Sequence, residues 1–330
     1  MNNFEHSHHA HCESGVISSM LRHHGLNLSE PMVFGLTNAL NFAYIPFVKI
    51  GGMPLVAYRS IPKSIIKNIQ KNLKVKMKLE TFSSVKKGQD RLDELLAEGK
   101  IVGGQSSVYW LEYFPPEMRF HFNAHNLLVY AKDGDNYLIS DPVFDKSVKC
   151  SKESLTKARF AKGVMAPKGL LYYPLDIPKN INLKPIITKN IKTLAKTMLR
   201  RFVPIAGLKG IENLAKAILK LEKKEKKYAK LFLGNIIRMQ EEIGTGGAGF
   251  RFMYASFLQE ASELFNNDST LQKASNMMLK VGDEYREFAL MIAKAVKSKK
   301  EIDFQAISEK LMLISKSEAK VYKKMLEFKA

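Results

Sequence analysis

Cysteine is nearly absent: Cys12 and Cys150 are the two thiols in 330 residues. Two thiols cannot build the disulfide framework that holds small secreted domains together, so a hydrophobic core must hold this chain. No run of about 18 apolar residues offers a membrane span. The N-terminus is polar and histidine-rich and has no apolar leader stretch. Zinc-finger spacings and RNP motifs are missing, and the basic residues are diffuse rather than striped, so no nucleic-acid module is expected. These absences point to a reducing compartment, and the expected location is cytoplasmic.

What is plentiful is positive charge. Lys and Arg number 52 against 32 Asp and Glu, a net charge of +20. The excess is +7 over residues 1–180 and +13 over 181–330. Such a field bears on partners rather than fold: nucleic acid, an anionic membrane surface or an acidic carrier protein would each suit it, and so would a merely solvated lysine-rich helix surface. Apolar residues make up 45% of the chain, enough for two cores; single cores stop growing near about 250–300 residues.

Residues 1–180 mix element types. "CESGVISSMLRHHG" has helical apolar spacing and a glycine stop, and "LSEPMVFGLTNALNF" restarts a helix with Ser29 as cap and Pro31 in the first turn. "SIIKNIQKNL" and "GQDRLDELLAEG" read as helices, "KVKMKLETF" as a strand, and "KIVGGQSSVYWL" as a buried strand with glycines. "AHNLLVYAKDGDNYLISDP" is a hairpin turning over "KDGDN" and stopping at Asp141-Pro142. "SKESLTKARFAK" and "KGLLYYPL" add a helix and a strand. Helices interleaved with local hairpins predict an α+β domain. The proline-rich segment 174–185 is the expected linker. Residues 181–330 read as a basic helical bundle, with helices near 186–201, 207–222, 226–243, 247–266, 270–298 and 302–328.

A nucleophilic cysteine needs a lowered pKa, a base within hydrogen-bond reach and a group that orients the base. Cys12 stands where a loop meets a helix, and there the helix dipole favours a thiolate. His125 heads the strand "HNLLVYA" and is the candidate base. Asp141 ends the paired strand, at the same end of the hairpin, and is the candidate orienter. Cys150, near a helix cap, is the expected bystander. The crowded His6, His8, His9 and His11 include no C-x-x-C or H-E-x-x-H pattern, and neighbouring residues rarely converge on one ion, so no resident metal is expected. "GTGGAGFR" (244–251) can form an anion-binding nest, with Gly246, Gly247 and Arg251 as its candidate residues, or can simply let helices pack closely. It lacks the Gly-Lys-Ser/Thr of a nucleotide-binding P-loop.

A cysteine at a helix start, a strand opening with histidine and a strand closing with Asp-Pro together resemble papain-like enzymes, including the bacteriocin-leader peptidases. In those enzymes a glutamine six residues before the cysteine donates to the oxyanion. Here that position is His6, whose ring N–H is the candidate substitute. A resemblance covering nearly the whole chain is carried by "HCESGVISSMLRHHGLNLSEPMVFGLTNALNFAY", "FNAHNLLVYA…SDP" and "EIGTGGAGFRFMYASFLQEASELF". These look like the butirosin-biosynthesis protein H family. The resemblance implies a papain-like N-terminal domain over 1–180 and an all-α domain over 181–330. It also implies transfer of an acyl group from an acyl carrier protein thioester to an amine or hydroxyl acceptor. Cys12 would accept the acyl group, His125 would act as base and Asp141 as orienter. No cofactor is implied beyond the phosphopantetheine arm of the donor. The alternatives are a cysteine peptidase or amidase using the same residues, and a non-catalytic binding protein on the same scaffold.

Overall fold

The computed structural model describes residues 3–329. In chain order the elements are α1 (Cys12–His23), α2 (Glu30–Leu36), β1 (Leu40–Ile50), β2 (Met53–Arg59), α3 (Ser64–Leu73), β3 (Lys76–Glu80) and α4 (Val85–Ala97). Next come β4 (Val102–Ser106), β5 (His125–Asp133), β6 (Asn136–Ser140), β7 (Val148–Ser151), α5 (Lys152–Arg159) and β8 (Leu171–Asp176). Six helices follow: α6 (Leu183–Leu199), α7 (Gly207–Leu219), α8 (Lys226–Ile237), α9 (Arg251–Leu264), α10 (Ser269–Lys297) and α11 (Phe304–Glu327). Among the described residues no helix is long and apolar enough to cross a membrane.

Two compact units result. One joins the residues up to Val33 with Ile65–Ile181; the other joins Phe34–Ser64 with the residues from Asn182 onward. The boundaries expected from sequence, 1–180 and 181–330, differ from this in residues 34–64, which belong with the helices. The reason lies in the inner face of the β1–β2 hairpin. Phe42, Tyr44, Val56 and Tyr58 are buried; the Tyr44 ring lies against Phe232 of α8 and the Tyr58 ring against Tyr285 of α10. The Tyr44 N–H donates to Ile205 O at 2.9 Å, fastening the strand to the loop before α7. "ALNF", expected to continue the helix from Ser29, leads into β1 at Leu40 instead, because α2 ends at Leu36 and Asn38 turns the chain with a left-handed backbone (φ 51°). β8 runs to Asp176 and α6 begins at Leu183, so the connection occupies 177–182.

The first unit is built on one six-stranded sheet in the order β3-β8-β4-β5-β6-β7, with every pair antiparallel. The expected α+β arrangement is what forms. The hairpin turn is tighter than "KDGDN", since Asp133 pairs with Asn136 and only Gly134 and Asp135 lie between them. A core of Leu92, Leu95, Val129, Tyr137, Ile139 and Leu155 packs α4 and α5 on the sheet. α1 lies along β5. β7, short and edge-placed, carried no clear signal of its own.

The second unit centres on a buried ion pair. Arg251, with no exposed surface, donates through Nε to Glu318 Oε1 at 2.9 Å and through Nη1 to Gly249 O at 2.7 Å. The Tyr285 and Tyr322 hydroxyls donate to the same carboxylate at 3.2 and 2.7 Å. The guanidinium also stacks 4.8 Å from the Tyr285 ring centroid. Burial works against the charge, but Glu318 outweighs it and holds the guanidinium protonated. Breaking one side of such a pair strands the other charge. Glu318→Ala is therefore expected to cost about 3–5 kcal/mol, read as a lowered urea midpoint in far-ultraviolet circular dichroism. The pair Arg251→Met with Glu318→Leu is expected to recover most of that loss, since neither charge remains to be desolvated.

Candidate active site

Three side chains expected to work together meet at one end of the β5–β6 hairpin. Cys12 is the first residue of α1, and His125 is the first of β5. Asp141 follows β6 directly. His125 Nε2 lies 2.7 Å from Asp141 Oδ2, which leaves Nδ1 for the hydrogen bond between this ring and Cys12. Asp141 is fully buried, with two further donors: the Tyr113 hydroxyl on Oδ2 at 2.8 Å and the Val143 N–H on Oδ1 at 3.2 Å. The Phe114 ring stands edge-on to His125 at 5.6 Å and helps fix its plane. Burial by itself would discharge the imidazole, but the Asp141 carboxylate, followed by Cys12, outweighs it. The His125 pKa rises from 6.5 to about 10.

A second line of contacts reaches the sulfur from the sheet. Asn126 Nδ2 lies 3.9 Å from Cys12 Sγ and also donates to Ala124 O at 3.2 Å. Its Oδ1 accepts from the Tyr172 hydroxyl at 3.0 Å. Tyr172 pairs with Gly103 across β8 and β4, and a Cβ at 103 would sit 2.1 Å from the tyrosine ring. The glycine read in "KIVGGQSS" therefore makes room for the residue that orients Asn126. Sequence reasoning passed over Asn126, Tyr172 and Tyr113. Only Asn126 carried a signal, as an amide next to His125 in an otherwise apolar strand.

The histidine-rich opening segment is a strap that fastens Cys12 beside Asp141. His6 uses both ring nitrogens, Nδ1 with Ser140 Oγ at 2.7 Å and Nε2 with Phe144 O at 2.9 Å. Nε2 must carry the proton to bond a carbonyl, so Nδ1 accepts and no N–H remains for an oxyanion. This corrects the expectation that His6 replaces the glutamine donor. The His9 backbone N–H donates to Pro142 O at 2.7 Å, and burial, reinforced by Arg22, pushes its ring pKa down to about 4. His11 caps α1, its ring accepting from the Ser14 N–H. Beneath them the Glu30 carboxylate takes the Ala10 and His11 N–H groups and the Ser14 hydroxyl, each at 2.9 Å. Burial raises the Glu30 pKa against these donors. Gly15 permits the closeness: a Cβ there would meet His9 Cβ at 2.6 Å and Pro142 Cβ at 2.9 Å. Among the described residues no group of three or more His, Cys, Asp or Glu is placed to hold a metal ion.

The glycine-rich loop does not form the expected anion site. Arg251 is spent on Glu318 in the core. The Gly247 N–H donates to Thr245 Oγ1 at 3.0 Å, and the Ala248 N–H to the Glu241 carboxylate at 3.2 Å. Gly246 is exposed and lies beside amides already satisfied by the protein's own acceptors. The loop is a tight connection before α9. Cys150 sits in the sheet core, bonded to Ser154 Oγ at 3.4 Å, and burial pushes its thiol up to about 11.

Residues 11–142 match the family "Butirosin biosynthesis protein H, N-terminal". Residues 153–325, over half of the chain, match the family "Domain of unknown function (DUF4872)". No curated protein matches. Among solved structures, one described as a C39-like peptidase from Bacillus anthracis is 15% identical, with 53% of this chain and 96% of that one covered. Its TM-score of 0.37 is too low for the likeness to carry an argument. The two family matches stand in the expected order: a butirosin biosynthesis protein H N-terminal domain comes first, and by the match over more than half of its length the chain belongs to the DUF4872 family.

Proposed function

We propose that this protein is a thiol-dependent acyltransferase in which Cys12, His125 and Asp141 act as nucleophile, base and orienter. The observation that carries this is the hydrogen-bonded line from the Asp141 carboxylate through the His125 ring to Cys12. With a pKa near 10 the imidazole holds its proton at neutral pH, and an imidazolium beside a sulfur favours the thiolate. The N-terminus of α1 adds its positive dipole end to the same sulfur.

The thiolate attacks the carbonyl carbon of a thioester, forming the C–S bond and an oxyanion. Collapse of that intermediate breaks the donor's C–S bond, and the departing thiolate takes the proton from His125. An amine or hydroxyl acceptor then attacks the acyl-Cys12 thioester while His125 takes its proton and becomes imidazolium again. The second collapse breaks the bond to Sγ and releases Cys12 as thiolate. Asp141, held by Tyr113 and the Val143 N–H, keeps the ring in one orientation throughout. Cys12 is only 7% exposed, and restricted water access favours transfer over hydrolysis. The donor class is an acyl carrier protein thioester, whose acidic surface suits a chain of net charge +20. The phosphopantetheine arm belongs to that donor, and the acceptor is a small molecule.

Incubation with an acyl thioester is expected to add one acyl mass to Cys12 and none to Cys150, with Cys12→Ala carrying no adduct and losing all transfer. Mass spectrometry of the intact and digested protein checks this; full-rate transfer by Cys12→Ala would end the proposal.

A second outcome concerns the His125 proton. Its ring signals in nuclear magnetic resonance are expected to titrate near pH 10 rather than 6.5. Asp141→Asn removes the larger of the two contributions that oppose burial, so the midpoint should fall and turnover should drop by about 10²–10⁴-fold. The native ring binds its proton more tightly than the unfolded chain does. Its stabilisation is therefore full below pH 6.5, fades as pH rises and is gone above about 10. Denaturation midpoints across that window, compared with those of His125→Ala, measure it.

A further inference from the structure

We infer that Asn126 is the side-chain donor that binds the oxyanion formed on the acyl group at Cys12, with Tyr172 as its positioning residue. The inference rests on the acyl-transfer reading and supplies the donor that His6 cannot be. A tetrahedral intermediate on Cys12 carries its negative oxygen on the carbon bonded to Sγ. Any donor that stabilises it must stand beside the sulfur and face the bound carbon. Asn126 Nδ2, which makes a long hydrogen bond to Sγ at 3.9 Å, stands there. The oxygen of an attached carbon, reaching out from the sulfur, comes closer to this nitrogen than Sγ itself, toward the roughly 2.7–3.1 Å that oxyanion donors use.

The orientation of the amide is fixed from both ends. The Ala124 carbonyl can only accept, so the atom 3.2 Å from it must be the amide nitrogen. The oxygen then faces Tyr172, whose hydroxyl donates to it at 3.0 Å. One N–H of Nδ2 is taken by Ala124, and the other is directed to the sulfur side. Such a donor costs no reorganisation during reaction, because Tyr172 is itself locked against Gly103. Asn126 and Tyr172 are both buried, where a hydrogen bond to a developing charge is worth more than in water. Asn126 is the opposite strand partner of Gln105 on β4, so its backbone is held by the sheet rather than by a loop.

Two reactions at the same sulfur separate this role from a structural one. Alkylation by iodoacetamide displaces iodide at a saturated carbon and develops no oxyanion. Acylation by the acetyl thioester of N-acetylcysteamine does develop one. In the full-length chain, Asn126→Ala is expected to slow acylation of Cys12 by about 10²–10³-fold while alkylation stays within about twofold. Asn126→Leu, nearly isosteric, uncharged and without the donor, should show the same split and covers the case in which the alanine variant fails to fold. Tyr172→Phe frees the amide without removing it and should slow acylation by about tenfold, again sparing alkylation. Equal loss of both rates in the two Asn126 variants would overturn the inference, since the residue would then only support the thiol. Unchanged acylation in them would overturn it as well. A wild-type protein alkylated at Cys12 but never acylated would overturn the acyl-transfer reading and this donor together. Acylation of the wild type without the split overturns the donor alone.

Discussion

A carboxyl group with no exposed surface needs partners for its oxygens from within the protein, and Asp141 sets the terms for the site around it. Three donors meet it: the His125 ring, the Tyr113 hydroxyl and the Val143 N–H. Each constrains a different part of the chain. The His125 bond fixes which nitrogen faces Cys12, and the Val143 bond holds the Asp-Pro turn that ends β6. Tyr113 anchors the loop that carries Phe114 against the imidazole. The histidine strap binds to this same turn through Pro142 and Phe144, so Cys12 is placed by contacts that radiate from Asp141.

The second unit buries a charge pair of equal severity to a different end. Arg251 and Glu318 satisfy each other and are closed off by Tyr58, Tyr285 and Tyr322. No nucleophile adjoins them, and the pair belongs to the core. Perturbed ionisation marks both places, which shows why it cannot identify a site unless a reactive atom lies within reach. What distinguishes His125 is the second nitrogen, which faces a sulfur rather than an aromatic wall.

The opening histidines show how one residue type serves several ends within six positions. His6 bonds through both ring nitrogens, His9 is kept neutral by burial, and His11 caps the helix that Cys12 begins. Their clustering in sequence resembles a ligand set, whereas in the fold they point to separate partners. The strap they form, with Glu30 gathering its amides, carries Cys12 to the hairpin end.

The sequence by itself determined most of the local elements and the chain order of the candidate residues. Helical spacing after Cys12, the strands on either side of the Gly134 turn and the Asp-Pro stop are local patterns, and the structure follows them. The placement of Cys12, His125 and Asp141 was legible for the same reason: a helix start and the two ends of one hairpin are definable without distant contacts. Membership of residues 34–64 in the helical unit was not, because the β1–β2 face finds its complement more than 140 residues further along the chain. Nor were the partners of His6 and Arg251, which lie 134 and 67 residues away. Asn126 stood in plain view beside His125, but its orientation depends on Tyr172 and on the space that Gly103 leaves. Hydrogen-bond satisfaction in a packed interior is decided by whichever groups the fold brings together, and local pattern holds no record of them.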